Sequence, residues 1–305
     1  MGYHKPVLLH ESVDGLNIKP GGNYVDLTFG GGGHSREVLK KLGKNGRLIA
    51  FDQDQDAEAN VPDDNRVIFV GANFRYLRNY LRYYSIDKAD GILADLGISS
   101  HQIDRPDRGF SFKSDAELDM RMDRRSRKSA RQVVNDYDYE GLLGIFRTYG
   151  ELKNASALAN ALIQARQDAA LNTTGDLEQA LFRFIPKAQP SKFLAKVYQA
   201  LRIEVNGEMD ALREMLVQTA ACLKEGGRLV VITYHSIEDR LVKNYMRSGN
   251  LGGEIQKDFY GNVQSPWKLV NRSVITPTKE ELELNNRARS AKLRIAERTK
   301  HGQEE

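Results

Sequence analysis

"DLTFGGGGHS", residues 26–35, is the stretch on which the reading of this chain turns. Tyr24 and Val25 lead into Asp26, and Gly30 to Gly33 then follow without interruption. Four glycines in a row lose much backbone freedom on folding and offer no side chain in return. A glycine loop between a strand and a helix lets a ligand touch backbone N–H groups near the helix N-terminus. The dinucleotide pattern G-x-G-x-x-G is met at Gly30 and Gly32 but not at its third position, which is Ser35. Asp26 closes the strand, where a carboxylate repels a pyrophosphate and attracts an ammonium or sulfonium group. The loop therefore favours S-adenosylmethionine over NAD, an NAD-dependent oxidoreductase being the second enzyme reading.

Outward from this loop, strand and helix signals alternate. "NYVDLTF" reads as a first buried strand and "SREVLKKLG" as a helix closed by Gly43. "GRLIAFD", "RVIFVG" and "ADGILADLG" read as three more strands, with the amphipathic "NFRYLRNYLRYY" before the last. Strands separated by helix-length segments predict a parallel, doubly wound α/β sheet. From about Arg105 the pattern changes, and residues 129–223 carry only helical periodicity. "EGGRLVVITYHS" restores a strand, "IEDRLVKNYMRS" a helix, and "WKLVNRSVI" more β signal. The expected organisation is one α/β domain, residues 1–105 and 213–305, interrupted by an all-helical insertion at 106–212.

Composition narrows the class. The 305 residues are 40% hydrophobic and 28% charged, as in a folded globular protein. No apolar run has the length of a bilayer span. "MGYHKPVLLH" lacks the order of a signal peptide, and Pro6 stands where a myristoylated Gly2 would require Ser or Thr. Cys222 is the single cysteine, so neither an internal disulfide nor a cysteine-based metal cluster is expected. A cytoplasmic protein without a structural metal or a membrane partner is the expectation. The formal charge of +4 is mild, but Arg105 to Arg131 holds nine basic residues against five acidic ones. "NNRARSAKLRIAERTK" adds a second basic block, read as a tail. Together they point to a polyanionic partner.

The candidate site residues follow from the strand ends. Asp52 ends the second strand, 20 residues after Gly32, the position from which a carboxylate binds ribose hydroxyls. His34 opens the first helix, suited to packing or to the edge of a cofactor. Asp95 ends the fourth strand, with Gly97, Ser99, Ser100 and Gln102 behind it as a polar pocket. An exocyclic amine is a poor nucleophile because its lone pair is delocalised into the ring. An acceptor on its N–H bonds, such as Asp95, can turn it out of conjugation and aim it. Cys222 lies in a helical run, far from any strand end, which disfavours covalent attack on a pyrimidine carbon. Asp119 (beside Arg121) and His235 complete the candidate catalytic set with Asp95. Ser236 and Asp239 read as a capping box for the next helix.

These landmarks resemble a known family. "HKPVLL" (4–9), "DLGISSHQID" (95–104), "RGFSF" (108–112) and "LDMRMD" (118–123) accompany the glycine loop in order. "QALRIEVNGE" (199–208), "GGRLVVITYHSIEDRLVK" (226–243) and "RARSAKLRIAER" (287–298) complete the set. The chain is similar across nearly its whole length to the bacterial 16S ribosomal RNA cytosine-N4 methyltransferases. The resemblance implies a class I methyltransferase sheet with an inserted helical domain. It also implies S-adenosylmethionine-dependent methylation of the N4 amine of a decoding-centre cytosine. It assigns cofactor contacts to Gly32, Gly33, His34, Asp52, Phe74, Asp95 and Gln102, beside which Asp26 stands from the residue reading. Departures include His101 where many relatives have Pro, and "DLGI" where amine methyltransferases often carry Asp-Pro-Pro-aromatic. The partners implied are 16S ribosomal RNA and the small subunit. The sequence leaves oligomeric state open, a homodimer included, and a non-catalytic RNA-binding protein on the same fold is the third reading.

Overall fold

The computed structural model describes residues 6–261, 263–271 and 273–300. The residues around Gly2 and the start of "HKPVLL" lie outside the described residues, as do 301–305. Seven strands form one sheet: β1 (Asn23–Asp26), β2 (Arg47–Phe51), β3 (Val67–Val70), β4 (Ala89–Asp95), β5 (Leu223–Thr233), β6 (Trp267–Leu269) and β7 (Lys292–Arg298). Their order is β3-β2-β1-β4-β5-β7-β6. Neighbours from β3 to β5 are parallel, and β7 runs antiparallel between β5 and β6. This is the doubly wound α/β sheet expected from the alternating signals, with the antiparallel seventh strand of class I methyltransferases.

The strands form where Val, Ile and Leu cluster because both faces are covered. Register places Val25 beside Ile49 and Ile92, and Leu93 beside Val230. Leu48, Leu93, Val230, Ile232, Leu293 and Ile295 are all at most 5% exposed and share one core. That burial fixes the strand ends, and the strand ends carry the site.

The contacts divide the chain into two units: residues up to Gly97 with those from Asp210 on, and Ile98–Met209. The second unit is helical and has its own core, which includes Leu142, Phe146, Leu158, Val197 and Leu201. Its longest helix, Pro190–Asn206, starts on a proline that needs no N–H there and ends at Gly207 in the left-handed conformation (φ 58°).

The second basic block is not a tail. "RARS" forms a short 3-10 turn and "KLRIAER" is β7, a strand inside the sheet. Lys292 and Arg294 both grip Asp239, at 3.1 and 2.8 Å, and Arg298 donates to the carbonyl of Ala220 at 2.8 Å. These cations hold β7 to the helices Ser236–Ser248 and Glu208–Cys222.

Candidate active site

Chain order leaves β1 for β2 and β3 on one side and returns to β4 on the other, so the sheet has its switch point at β1 and β4. In such sheets the binding crevice opens at the carboxyl ends of the strands at that point. Asp26 closes β1, Asp95 closes β4, and Asp52 directly follows β2.

The glycine loop has left-handed backbone at Gly30 and Gly32 (φ 50° and 73°). A Cβ on Gly32 would lie 2.7 Å from the Phe29 ring, and one on Gly33 would lie 2.1 Å from Pro6. The bare backbone is therefore required by the chain's own packing. Asp26, expected to face a cationic group, is 2% exposed and holds the loop together. It accepts from Thr28 N–H at 3.1 Å and from the Ser35 hydroxyl at 2.7 Å. Ser35, where a dinucleotide site has its third glycine, is the tether of that clamp. Burial raises the pKa of Asp26.

Asp52 is half-buried, and each of its oxygens accepts one backbone N–H, from Gly30 at 2.7 Å and from Asp54 at 2.8 Å. The Gly32 N–H bonds the Phe29 carbonyl at 2.7 Å. Two amides that a pyrophosphate would need are thus spent inside the loop. The donor set fits S-adenosylmethionine instead: an acidic rim suits a sulfonium, and a carboxylate oxygen has a second lone pair for a ribose hydroxyl. Burial pushes the Asp52 pKa up to about 6 against the opposing hydrogen bonds from Asp54 and Gly30.

Asp95 is the most elaborately held of the three. Its N–H donates to the Thr28 hydroxyl at 2.7 Å, and its Oδ1 accepts from the Tyr234 hydroxyl at 2.8 Å. Its Oδ2 stands 3.8 Å from Nδ1 of His34. The other ring nitrogen of His34, Nε2, lies 3.1 Å from the Val7 carbonyl, so it carries the proton and Nδ1 is bare. Burial lowers the pKa of His34, which is 5% exposed, and keeps it neutral. Burial also pushes Asp95 up to about 6, with the Tyr234 hydrogen bond opposing the shift.

Phe74 opens a short 3-10 turn after β3 and is half-buried. The turn is capped by Asn73, whose side chain also reaches Gln53 beyond β2 at 2.8 Å. Gln102 belongs to the helical unit, where its side chain completes a capping box with Ser99. Asp119, also in that unit, is 7% exposed and accepts both Nε (2.6 Å) and a terminal nitrogen (3.1 Å) of Arg121. His235, rather than Ser236, caps the helix Ser236–Ser248, and its box partner is Glu238, not Asp239. Asp239 is instead the anchor of β7. Tyr234, which sequence reasoning passed over, precedes His235 at the end of β5; an aromatic hydroxyl at the mouth of a central strand was the signal available.

Strand order, crevice and carboxylate rim define a class I methyltransferase using S-adenosylmethionine. Comparison with known proteins carries this further. The model of the MraW methylase family matches residues 1–299. "Ribosomal RNA small subunit methyltransferase H" of Parabacteroides distasonis is 58% identical over 297 residues, covering 97% of each chain. The protein of the same name from Bacteroides thetaiotaomicron is 56% identical over 296 residues, again 97% of each, and that from Flavobacterium johnsoniae 54% over 298 residues, 98% of each. The chain belongs to the MraW methylase family. It is a methyltransferase with S-adenosylmethionine as donor, and neither the nicotinamide reading nor the non-catalytic one is supported.

Proposed function

We propose that this methyltransferase acts on small-subunit ribosomal RNA and places the methyl group on the N4 amine of a cytosine in the decoding centre. The observation that carries the reading is Asp95, a partly desolvated carboxylate at the crevice with one oxygen held by Tyr234 and the other unbonded. S-adenosylmethionine supplies a methyl group on a cationic sulfur. Asp95 accepts an N–H of the amine, turning its lone pair out of conjugation and towards that methyl. As the new N–C bond forms, the S–CH3 bond breaks and its electron pair returns to sulfur. Neutral S-adenosylhomocysteine leaves, while the nitrogen gains positive charge and its proton becomes acidic. Ionised Asp95 stabilises that charge and can receive the proton. Gly32, Gly33, His34, Asp52 and Phe74 frame the donor. Asp26 serves through the loop it clamps. Asp119 and His235 act by holding Arg121 and the helix after β5.

The target base must leave its stack to reach the crevice, so unpaired or distorted RNA is the substrate. Most of the basic run 105–131 is committed elsewhere. Arg105 and Arg124 pair with Asp107, Arg121 with Asp119, Arg125 with Asp123, Lys128 with Glu204, and Arg108 is fully buried. Lys113, Arg127 and Arg131 are exposed and form no ion pair among the described residues. They are the phosphate contacts of this proposal, which position RNA without reading its sequence. An assembled small subunit as substrate, a cytoplasmic location and self-association as a homodimer belong to the same proposal.

Titration with S-adenosylmethionine and with NADH, followed by label transfer from the methyl donor to RNA lacking the modification, tests it. Donor binding and label retained on RNA are expected. Binding of NADH with no label transfer contradicts the reading.

A further inference from the structure

Tyr234 stands outside every motif role assigned above, yet among the described residues its hydroxyl is the only group hydrogen-bonded to the Asp95 carboxylate. Its own position is built rather than incidental. The Tyr234 N–H donates to Oε2 of Glu238 at 3.0 Å, and Glu238 is 2% exposed. The same carboxylate takes the His235 N–H at 3.4 Å and faces the His235 ring at 3.1 Å. The corner leaving β5 is thereby locked at two successive residues. Gly97, with φ 96°, lies where a Cβ would rest 3.6 Å from the Tyr234 ring.

The phenol can only donate to Asp95, since an ionised carboxylate has no proton to give back. Oδ1 is therefore occupied, and the remaining acceptor capacity of the carboxylate is concentrated on Oδ2. On that side His34 offers a bare nitrogen at 3.8 Å, so nothing in the described structure donates to Oδ2. We infer that Tyr234 is a positioning residue for methyl transfer, orienting Asp95 through its hydroxyl so that Oδ2 meets the acceptor amine. The inference rests on the amine-methylation reading for what Oδ2 meets, but the control of Asp95 by Tyr234 is a property of the protein alone.

The charged and titratable groups around Asp95 come from four directions. His34 faces it from the helix Gly33–Lys41, Asp26 from β1, Glu238 from the helix Ser236–Ser248, and Tyr234 from the end of β5. Asp26 and Glu238 disfavour its ionised form. The phenol favours it. Removing the phenol removes a donor to the charged form and moves the Asp95 midpoint up.

The test follows Asp95 itself by carboxyl carbon-13 resonance in the full-length protein, assigned with Asp95→Asn. In Tyr234→Phe the midpoint is expected to rise by about one unit, a tenfold gain in proton affinity. The acid limb of the kcat profile should move with it, while the Kd for S-adenosylmethionine stays within about twofold. Replacing Tyr234 by 3-fluorotyrosine strengthens the donor without a cavity, and the midpoint is expected to fall. That protein carries the test if the Phe variant does not fold. An Asp95 midpoint unmoved by both substitutions overturns the inference. A shifted midpoint in a protein whose wild type methylates no RNA would leave Tyr234 in control of Asp95 and bring down the function reading alone.

Discussion

Two sets of carboxylates in this chain have opposite fates. In the helical unit Asp107 sits between Arg105 and Arg124, and those guanidinium groups hold its pKa well below the ordinary range. Asp123, beside Arg125, is likewise lowered. At the strand ends of the α/β unit Asp52 and Asp95 have no guanidinium or ammonium partner among the described residues, and burial pushes both up to about 6. An arginine-paired carboxylate at the surface is a structural part, easily ionised and worth little. A desolvated carboxylate served by neutral donors keeps its charge only with effort, which is the condition a chemical site needs.

The sharpest way to break this contrast is Asp95→Asn. Loss of a charge that acts in the transition state should lower kcat for methyl transfer by about 10²–10³-fold. The same change should stabilise the fold. Because the folded pKa is raised, the ionisation penalty is absent below about pH 4, where the unfolded chain is protonated too, and complete above about pH 6. A gain of about 1–3 kcal/mol at pH 7.5 that disappears towards pH 4 is expected in thermal unfolding. Equal losses of activity and stability would place Asp95 with the structural carboxylates.

Asp52→Asn comes next. An amide oxygen cannot replace both carboxylate oxygens, and a lost charge-assisted hydrogen bond is worth about 1.5–3 kcal/mol. Calorimetry should show affinity for S-adenosylmethionine weakened by roughly 10–100-fold. Wild-type affinity should also decline as pH falls through 6, a dependence absent in the variant.

Gly32→Ala tests the loop rather than the charge. A Cβ at φ 73° meeting the Phe29 ring should cost about 1–3 kcal/mol in denaturant unfolding. Smaller again, and confined to RNA, is the joint neutralisation of Arg127 and Arg131. RNA binding should weaken and its salt slope fall by roughly one to two, with donor affinity untouched. Arg125→Gln, which breaks the exposed pair with Asp123, should change stability by no more than about 0.5 kcal/mol.

Much of this was legible in the residues. The β1 and β2 strands and the glycine loop announce themselves because apolar runs end on acidic residues at the carboxyl ends of two interior strands. What sequence could not show is which group each acid meets. Asp26 reads as a crevice carboxylate until the fold brings Ser35 and Thr28 onto it. The Tyr234–Asp95 bond joins residues 139 positions apart, so no local pattern contains it. The block "KLRIAER" reads by its charge as a tail, although Leu293 and Ile295 alternate with Lys292 and Arg294 as strand residues do. In the run 105–131 net charge was misleading too, because Arg105, Arg121 and Arg125 each stand two residues from the acid that pairs with them.

The most direct measurement is methyl transfer from labelled S-adenosylmethionine to small ribosomal subunits that lack the modification. The RNA is then digested to nucleosides and identified by mass spectrometry against standards. The account predicts N4-methylcytidine as the product, formed by the wild type and nearly abolished in Asp95→Asn. Label on carbon 5 or on ribose would contradict the amine mechanism, and label on neither subunits nor free RNA would contradict the substrate.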